Sequence, residues 1–483
     1  MLCAGEFSRD LMMNRKLPNG DLSVDGPFLD AAFLPAEVAL CLHGERLGKA
    51  AAKEKVGLAL SRPDGTTFVE ELELPAPENA SEEDWRILER HVKRMLWQKG
   101  GSRLFVAGAP EWARRLRGTY CTAPSGERAF DADFMGQKLF GEAFSVAHCD
   151  AGEMPAAREP ELELGGNLDG CRIGFDLGGS DRKCAAVIDG KVVFSEEITW
   201  DPYFQTDPEY HRAGIEDSLR LAARHLPRVD AIGGSAAGVY INNEVLAGSL
   251  FRGLRTVDFD RHIRGLFRDL ENEWGVPVAV VNDGEVTALA AALSAGGGGI
   301  LGVAMGTSTA AGYVNPRGKL TCWLNELAFT PVDYRGEGAP VDEWSGDGGC
   351  GVQYFSQQAV ARLGPAAGIP LEPCETFAEY LKRLQALFDS GDAGARKVFD
   401  TIGFYLGHTL PFWRRSYAFD KVLLLGRVMS GEAGECIVRE AKRVLAEHYP
   451  ETAENLSFLE VNERDKRHGQ AIAAASLPVL KKE

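Results

Sequence analysis

Long apolar runs are what this 483-residue chain most lacks. No segment approaches the roughly 20 apolar residues needed to cross a bilayer, so the expectation is a protein that does not span a membrane. Positive charge is scarce too: 53 Lys and Arg stand against 70 Asp and Glu, a formal net charge of -17. Clustered cations drive binding to nucleic-acid phosphates and anionic membranes, so neither partner is expected. The first twenty residues, MLCAGEFSRDLMMNRKLPNG, interrupt every apolar stretch with charge and do not read as a secretory signal. The ten cysteines run from Cys3 to Cys436 without a CxxC pair. That pattern argues against a disulfide frame or a zinc cluster and suits reduced thiols, hence a cytoplasmic location.

Hydrophobic content of 45% and charged content of 25% are those of an ordinary globular protein, long enough for about three folded units. Residues 1–45 mix Pro, Gly and polar residues without sustained period and read as an irregular extension. Residues 46–165 alternate strand and helix patterns, from VGLALS and TFVEELEL through SEEDWRILERHVKRMLW to RLFVAGA and SVAH, with a breaker-rich acidic stretch from 151. The same order returns over 166–295, with RIGFDLGG, AAVIDG, KVVFSEEI, AIGGSAAG and VAVVNDG, and alternation continues over 296–483. Such alternation predicts an α/β fold, with sheets covered by helices.

Three strand-to-turn junctions share one logic. Asp176 is followed by Gly178, Gly179 and Ser180; Met305 by Gly306, Thr307 and Ser308; Leu425 by Gly426 and Arg427. Glycine lets backbone N–H groups approach and cradle phosphate, and strand ends are where open α/β sheets bind ligands. An acidic residue beside such a loop suits the magnesium that travels with nucleotide phosphates. Between the loops lies Asp283, preceded by Asn282 at the end of the strand VAVV. A carboxylate there can take the proton of a hydroxyl that attacks a γ-phosphate, or it can cap the helix that follows.

In the order IGFDLGGS, AIGGSAAG, VVNDGEVTALA, GVAMGTSTAAGYV, VLLLGRVMS, GQAIAAA, the chain from about 171 to 478 resembles the ROK family of bacterial sugar kinases and sugar-responsive repressors, within the actin-like ATPase superfamily. The resemblance implies duplicated ribonuclease-H-like lobes with ATP in the cleft, the first over 166–295 and the second over 296–483. It implies Asp283 as catalytic base, Asn282 and Glu326 as sugar ligands, Gly178, Gly179 and Ser180 as the first phosphate loop, and Gly306, Thr307 and Ser308 as the second. Gly426 and Arg427 fall at the adenosine site, and Asp176 would hold Mg²⁺ through water. A sugar or sugar derivative is the implied substrate, and a homodimer a possible assembly.

Departures accompany the likeness. The family's histidine and second acidic sugar ligand correspond to Phe329 and Val352, and of its zinc cysteines only Cys350 remains. One thiol makes no tetrahedral site, so no structural zinc is expected, and Cys350 reads as a packed residue. Arg182 and Lys183 could reach a phosphate or line a solvated strand, His408 reads as a core histidine, and Asp342, Glu343 and Asp347 as an exposed acidic loop. A kinase is expected, with a non-catalytic sugar or nucleotide sensor as the alternative; no basic recognition helix precedes the lobes. The module at 46–165 is expected to be a degenerate, silent copy of the first lobe, with Arg62 and Pro63 where glycine would stand and Asp150 as a relic of the base.

Overall fold

The computed structural model describes residues 29–123, 126–460 and 463–480. Helix α1 (Ala36–Lys49) comes first. Strands β1 (Lys53–Ser61) and β2 (Thr67–Pro75) form a hairpin. Helix α2 (Glu82–Lys99) opens on a capping box, in which Ser81 and Asp84 satisfy each other's backbone N–H groups. Strands β3 (Arg103–Ala107) and β4 (Ser145–Cys149) complete a four-stranded sheet of order β2-β1-β3-β4.

The first lobe is a five-stranded sheet of order β11-β8-β5-β6-β7. Its strands are β5 (Cys171–Leu177), β6 (Asp181–Ile188), β7 (Lys191–Thr199), β8 (Ala231–Ala236) and β11 (Val278–Asn282). A hairpin, β9 (Val239–Ile241) with β10 (Glu244–Ala247), projects beyond β8. Strands β5, β6 and β7 form an antiparallel meander, while β8 runs parallel to β5 and β11 parallel to β8. The central strands are mostly apolar and buried because both faces are covered. Helices α3 (Pro208–Ala223) and α4 (Leu266–Trp274) cover one face with Ile215, Leu219 and Phe267.

The second lobe has a sheet of order β13-β12-β14-β15. Helix α5 (Asp283–Ala295) leads into β12 (Ile300–Met305) and β13 (Thr309–Val314). Helix α6 (Ala393–Trp413), strand β14 (Lys421–Leu425), helix α7 (Gly431–His448) and strand β15 (Ser457–Leu459) follow. Helix α8 (Glu463–Ala475) then returns to the first lobe. There Gly174 and Gly233, paired in register on β5 and β8, form a notch for it. A Cβ at Gly174 would lie 2.2 Å from the Ala471 carbonyl oxygen, and one at Gly233 1.7 Å from that of Ala474. The lobes meet equally closely where Gly312 of β13 faces Gly284 of α5, a Cβ at 312 falling 2.0 Å from the Gly284 oxygen.

Three expectations need correction. Residues 36–45 of the supposed irregular extension belong to α1; Phe33, Ala36 and Ala39 sit in the second lobe's core, and Glu37 pairs with Arg415 at 2.6 Å. Residues 1–28 lie outside the described residues. The module is also not a copy of the first lobe's sheet. In the lobe three strands precede the crossover helix, so β8 comes back parallel to β5. In the module only two strands precede α2, so the chain leaves in the opposite sense and β3 lies antiparallel to β1. One missing strand reverses the pairing.

The module touches both lobes. Val239 and Leu246 of the β9–β10 hairpin belong to its apolar core, and Leu324 and Phe329 of the second lobe pack against it. Phe329 stacks on Trp97 with ring centroids 4.1 Å apart. Asp342 and Asp347, expected to be exposed, are buried. Asp347 accepts from Arg90 at 2.7 Å and 3.0 Å and lies 3.1 Å from both Lys93 and Arg128. Burial of an acid that far from water is tolerated because module cations surround it.

Candidate active site

The parallel pairing of β5, β8 and β11 brings three chain segments to one edge. Asp176 lies opposite Ser235, and Asn282 opposite Ala236. With β8 between them and strands about 4.8 Å apart, Asp176 and Asp283 stand about 10 Å apart along that edge. Burial raises the Asp176 carboxyl, and a hydrogen bond from Ser235 opposes it. Burial likewise raises Asp283, with Asp176 adding repulsion. Glu326, half-buried in the second lobe, is pushed up to about 7, first by burial and then by Asp283. Three carboxyl groups from distant parts of the chain thus share one electrostatic neighbourhood, the condition that tunes acids and bases toward neutral pH.

Helix α5 positions the middle group. Its N-cap is Asn282, whose Oδ1 accepts from Gly284 N at 2.8 Å, leaving Asp283 as the first helical residue. The capping role considered for Asp283 therefore falls to its neighbour, though Asp283 Oδ1 also accepts from Gly284 N at 2.9 Å. Asn282 further donates through Nδ2 to Gly238 O at 2.8 Å. Two of the amide's four hydrogen-bonding positions remain for a substrate.

The glycine loops lie at strand ends as expected. Gly178 donates to Asp181 O at 2.9 Å, and Trp200 Nε1 donates to Gly178 O at 2.7 Å. Tyr203 rests on this loop, since a Cβ at Gly179 would fall 2.0 Å from its hydroxyl oxygen. Ser180 is exposed. In the second lobe β12 and β14 are parallel neighbours, Ala304 opposite Leu425, so the loops that follow them are adjacent. Thr307 and Ser308 are exposed, and a Cβ at Gly306 would meet nothing nearer than Ser308 O at 3.7 Å. Gly426 has φ +93°, and a Cβ there would lie 2.4 Å from Met305 O; only glycine brings the two loops together. Gly426 and Arg427 are exposed. The second-lobe turn is open and the first is roofed by Tyr203; glycine turns beside an acidic strand end fit a nucleotide with its cation.

Other singled-out residues lie apart. Arg182 is buried against Asp217 and Ser218 of α3, and Lys183 pairs with Asp181 at 3.4 Å. His408 is a core residue bonded to the Tyr449 hydroxyl at 2.8 Å, and burial lowers it to about 3. Cys350 is buried beside Asp347. Among the described residues no group of three or more His, Cys, Asp or Glu could hold a metal ion, and no helix is long and apolar enough to cross a membrane. Sequence reasoning missed Glu285 and Asn325. Glu285 is buried, pushed up to about 8 by that burial, and accepts from Asn325 Nδ2 at 3.1 Å. The asparagine ahead of Glu326 in WLNELAF was the available signal, since asparagine tolerates the left-handed backbone it adopts here, φ +56°.

No family model and no curated protein matches the sequence. Among solved structures, a ROK family transcriptional regulator homologous to the E. coli MLC protein is similar at 19% identity and a TM-score of 0.50, over 64% of this chain and 79% of that one. The ROK hexokinase from Thermus thermophilus is similar at 21% identity, TM-score 0.49, over 63% of this chain and 97% of the other. The ROK family glucokinase from Streptomyces griseus, solved with glucose and AMPPNP, is similar at 19%, TM-score 0.44, over 63% and 98%. The likeness shows the fold.

Proposed function

We propose that this chain, built on the fold of the ROK kinases and regulators, is an ATP-dependent kinase that phosphorylates a hydroxyl of a sugar or sugar derivative. The observation that carries the reading is the carboxyl group of Asp283 at the head of α5, at the same sheet edge as Asp176 and raised by burial and by that neighbour. A carboxylate made more basic by burial and a neighbouring negative charge takes up a hydroxyl proton more readily than an ordinary one. Asn282, with two hydrogen-bonding positions left, and Glu326 orient the acceptor. Because Glu326 titrates near 7, it can donate as well as accept a hydrogen bond there.

The turns at 178–180 and 306–308 face the phosphates, with the backbone N–H groups of Gly179 and Thr307 and the hydroxyls of Thr307 and Ser308 as donors, while the Gly178 and Gly306 N–H groups hold the turns in shape by donating to Asp181 O and Ser308 O at 2.9 Å each. Gly426 and Arg427 would bound the nucleoside, and Asp176 would hold Mg²⁺ through water. The bound nucleotide and its magnesium supply the phosphoryl group and offset its charge. Asp283 takes the acceptor's proton as that hydroxyl's oxygen bonds to the γ-phosphorus and the γ-phosphorus–bridging oxygen bond breaks, releasing ADP.

A second reading, a sugar-responsive regulator without catalysis, is favoured by Phe329 and Val352 at positions where the resembled family carries polar sugar ligands. Incubating the protein with Mg-ATP and hexoses, amino sugars or acylated sugars separates the two. The kinase reading predicts sugar-dependent ADP release that Asp283→Asn removes; nucleotide binding with no release above that control supports the regulator.

A further inference from the structure

We infer that the C-terminal end of α2 is a socket that positions Glu326, so that the N-terminal module forms part of the acceptor site, with Asn325 and Glu285 as positioning residues. The inference rests on the kinase reading for Glu326's role.

A helix ends with carbonyl groups that have no partner within it. At the end of α2 these are met by two remote segments. Trp97 O accepts from Glu326 N at 2.9 Å and Gln98 O from Asn325 N at 3.1 Å. The Arg62 guanidinium donates to Lys99 O, to Gly100 O at 3.0 Å, and to Cys322 O at 2.8 Å. Arg62, which stood in the sequence as an obstacle to a phosphate loop, instead fastens the end of α2 to the stretch 322–326. That charge is buried, its hydrogen bonds go to carbonyl oxygens, and the Phe68 and Phe140 rings lie 5.2 Å and 5.5 Å from it.

The stretch is held from its other side too. Asn325 adopts φ +56°, a conformation that persists in a non-glycine residue only when its surroundings enforce it. Its side chain is buried and donates to Glu285, two residues beyond Asp283 on α5. A loop fixed by packing alone needs neither a left-handed asparagine nor a buried amide–carboxyl pair. The connection runs from the α2 carbonyls through Asn325 and Glu326 to Glu285, and so to the helix that carries Asp283. Glu326 is thus placed by the module and by the base's own helix together.

The test is steady-state kinetics of the full chain with whichever sugar is turned over. Asn325→Gly keeps the backbone conformation and removes the amide; Glu285→Leu removes the acceptor; Arg62→Met removes the fastening. Each is expected to raise the acceptor KM about tenfold or more while the ATP KM changes by less than about twofold, since small displacements of a binding group are costly. Glu285→Gln, which retains a hydrogen-bonding head, should recover most of what Glu285→Leu loses. Equal rises in both KM values, an unchanged acceptor KM, or Glu285→Gln as damaging as Glu285→Leu would overturn the inference. If Glu285→Leu does not fold, Asn325→Gly and Arg62→Met decide. Amide hydrogen exchange gives a readout independent of turnover. The Asn325 and Glu326 N–H groups should be protected, and Arg62→Met should speed their exchange at least about tenfold relative to β12. Unprotected amides in the unsubstituted protein refute the socket whether or not the kinase reading stands. Protected amides in a chain that phosphorylates no sugar refute only the kinase reading.

Discussion

Asp347→Asn should loosen the module from the second lobe, and the cost can be worked from the buried charges. Three cations, Arg90, Lys93 and Arg128, face three anions, Glu89, Asp131 and Asp347, none with more than 12% of its side chain exposed. Lys93 contacts Asp131 at 2.7 Å and Arg128 contacts Glu89 at 2.7 Å. Asp347 is the hub, its carboxyl held well below the ordinary range by Lys93, Arg90 and Arg128 against the effect of burial, whereas burial raises Asp131 despite Lys93. The six charges balance, and Asp347→Asn leaves one buried positive charge unanswered. Breaking a buried pair this way costs about 3–5 kcal/mol. Lys93→Met alone should cost a similar amount, but the double variant restores neutrality and should lose at least about 2 kcal/mol less than the sum. Urea denaturation of all four proteins measures the coupling. The sign with pH is fixed as well: a depressed carboxyl stabilises above its unfolded value and loses that contribution as pH falls through its folded value, so Asp347→Asn should reduce acid sensitivity. Additive single variants, or an Asp347→Asn cost under about 1 kcal/mol, refute the reasoning.

Asp283→Asn should lower phosphoryl transfer by about two to four orders of magnitude, whereas Asp150→Asn, at an exposed position, should stay within about twofold in the same assay. Glu285, raised by burial to about 8, keeps its proton in the folded protein where the unfolded chain loses it near 4.5. Stability should therefore be full below that unfolded value and fall as pH rises through about 8, by about 2–5 kcal/mol; Glu285→Gln should flatten thermal melts measured across that range. Gly312→Ala forces a Cβ to within 2.0 Å of the Gly284 carbonyl oxygen, a backbone atom that cannot swing aside. It should cost about 3 kcal/mol or more in urea and weaken the lobe contact, while the same change at Gly297, with nothing within 4 Å, should cost little.

The parts of the fold legible in the sequence are those where local chemistry and burial agree. Strands such as CRIGFDL and VAVVN are mostly apolar and buried because helices cover both faces, and the glycines that follow them mark turns whatever lies around them. Asp283 could be placed for the same reason: an acid at the end of an apolar strand has few places to go. Helix α1 was not legible, because Pro35 precedes it without a side-chain cap. The pairing direction in the module depended on counting strands before α2, which similarity of order does not reveal. Asp347 reads as solvent-exposed because its cationic partners lie more than 200 residues away in the chain. Glu285 reads as an ordinary acid in a helix's first turn, favourable to the dipole, and only the structure shows it buried against Asn325.

The central claim is that Asp283 deprotonates a sugar hydroxyl for attack on the terminal phosphate of ATP. Phosphorus NMR of the protein with Mg-ATP and the sugar panel follows that transfer directly. The account predicts a growing sugar phosphate resonance matched by loss of the γ-phosphate signal, absent with Asp283→Asn. Loss of the γ-phosphate signal to inorganic phosphate alone, or a sugar phosphate formed equally well by Asp283→Asn, would contradict it.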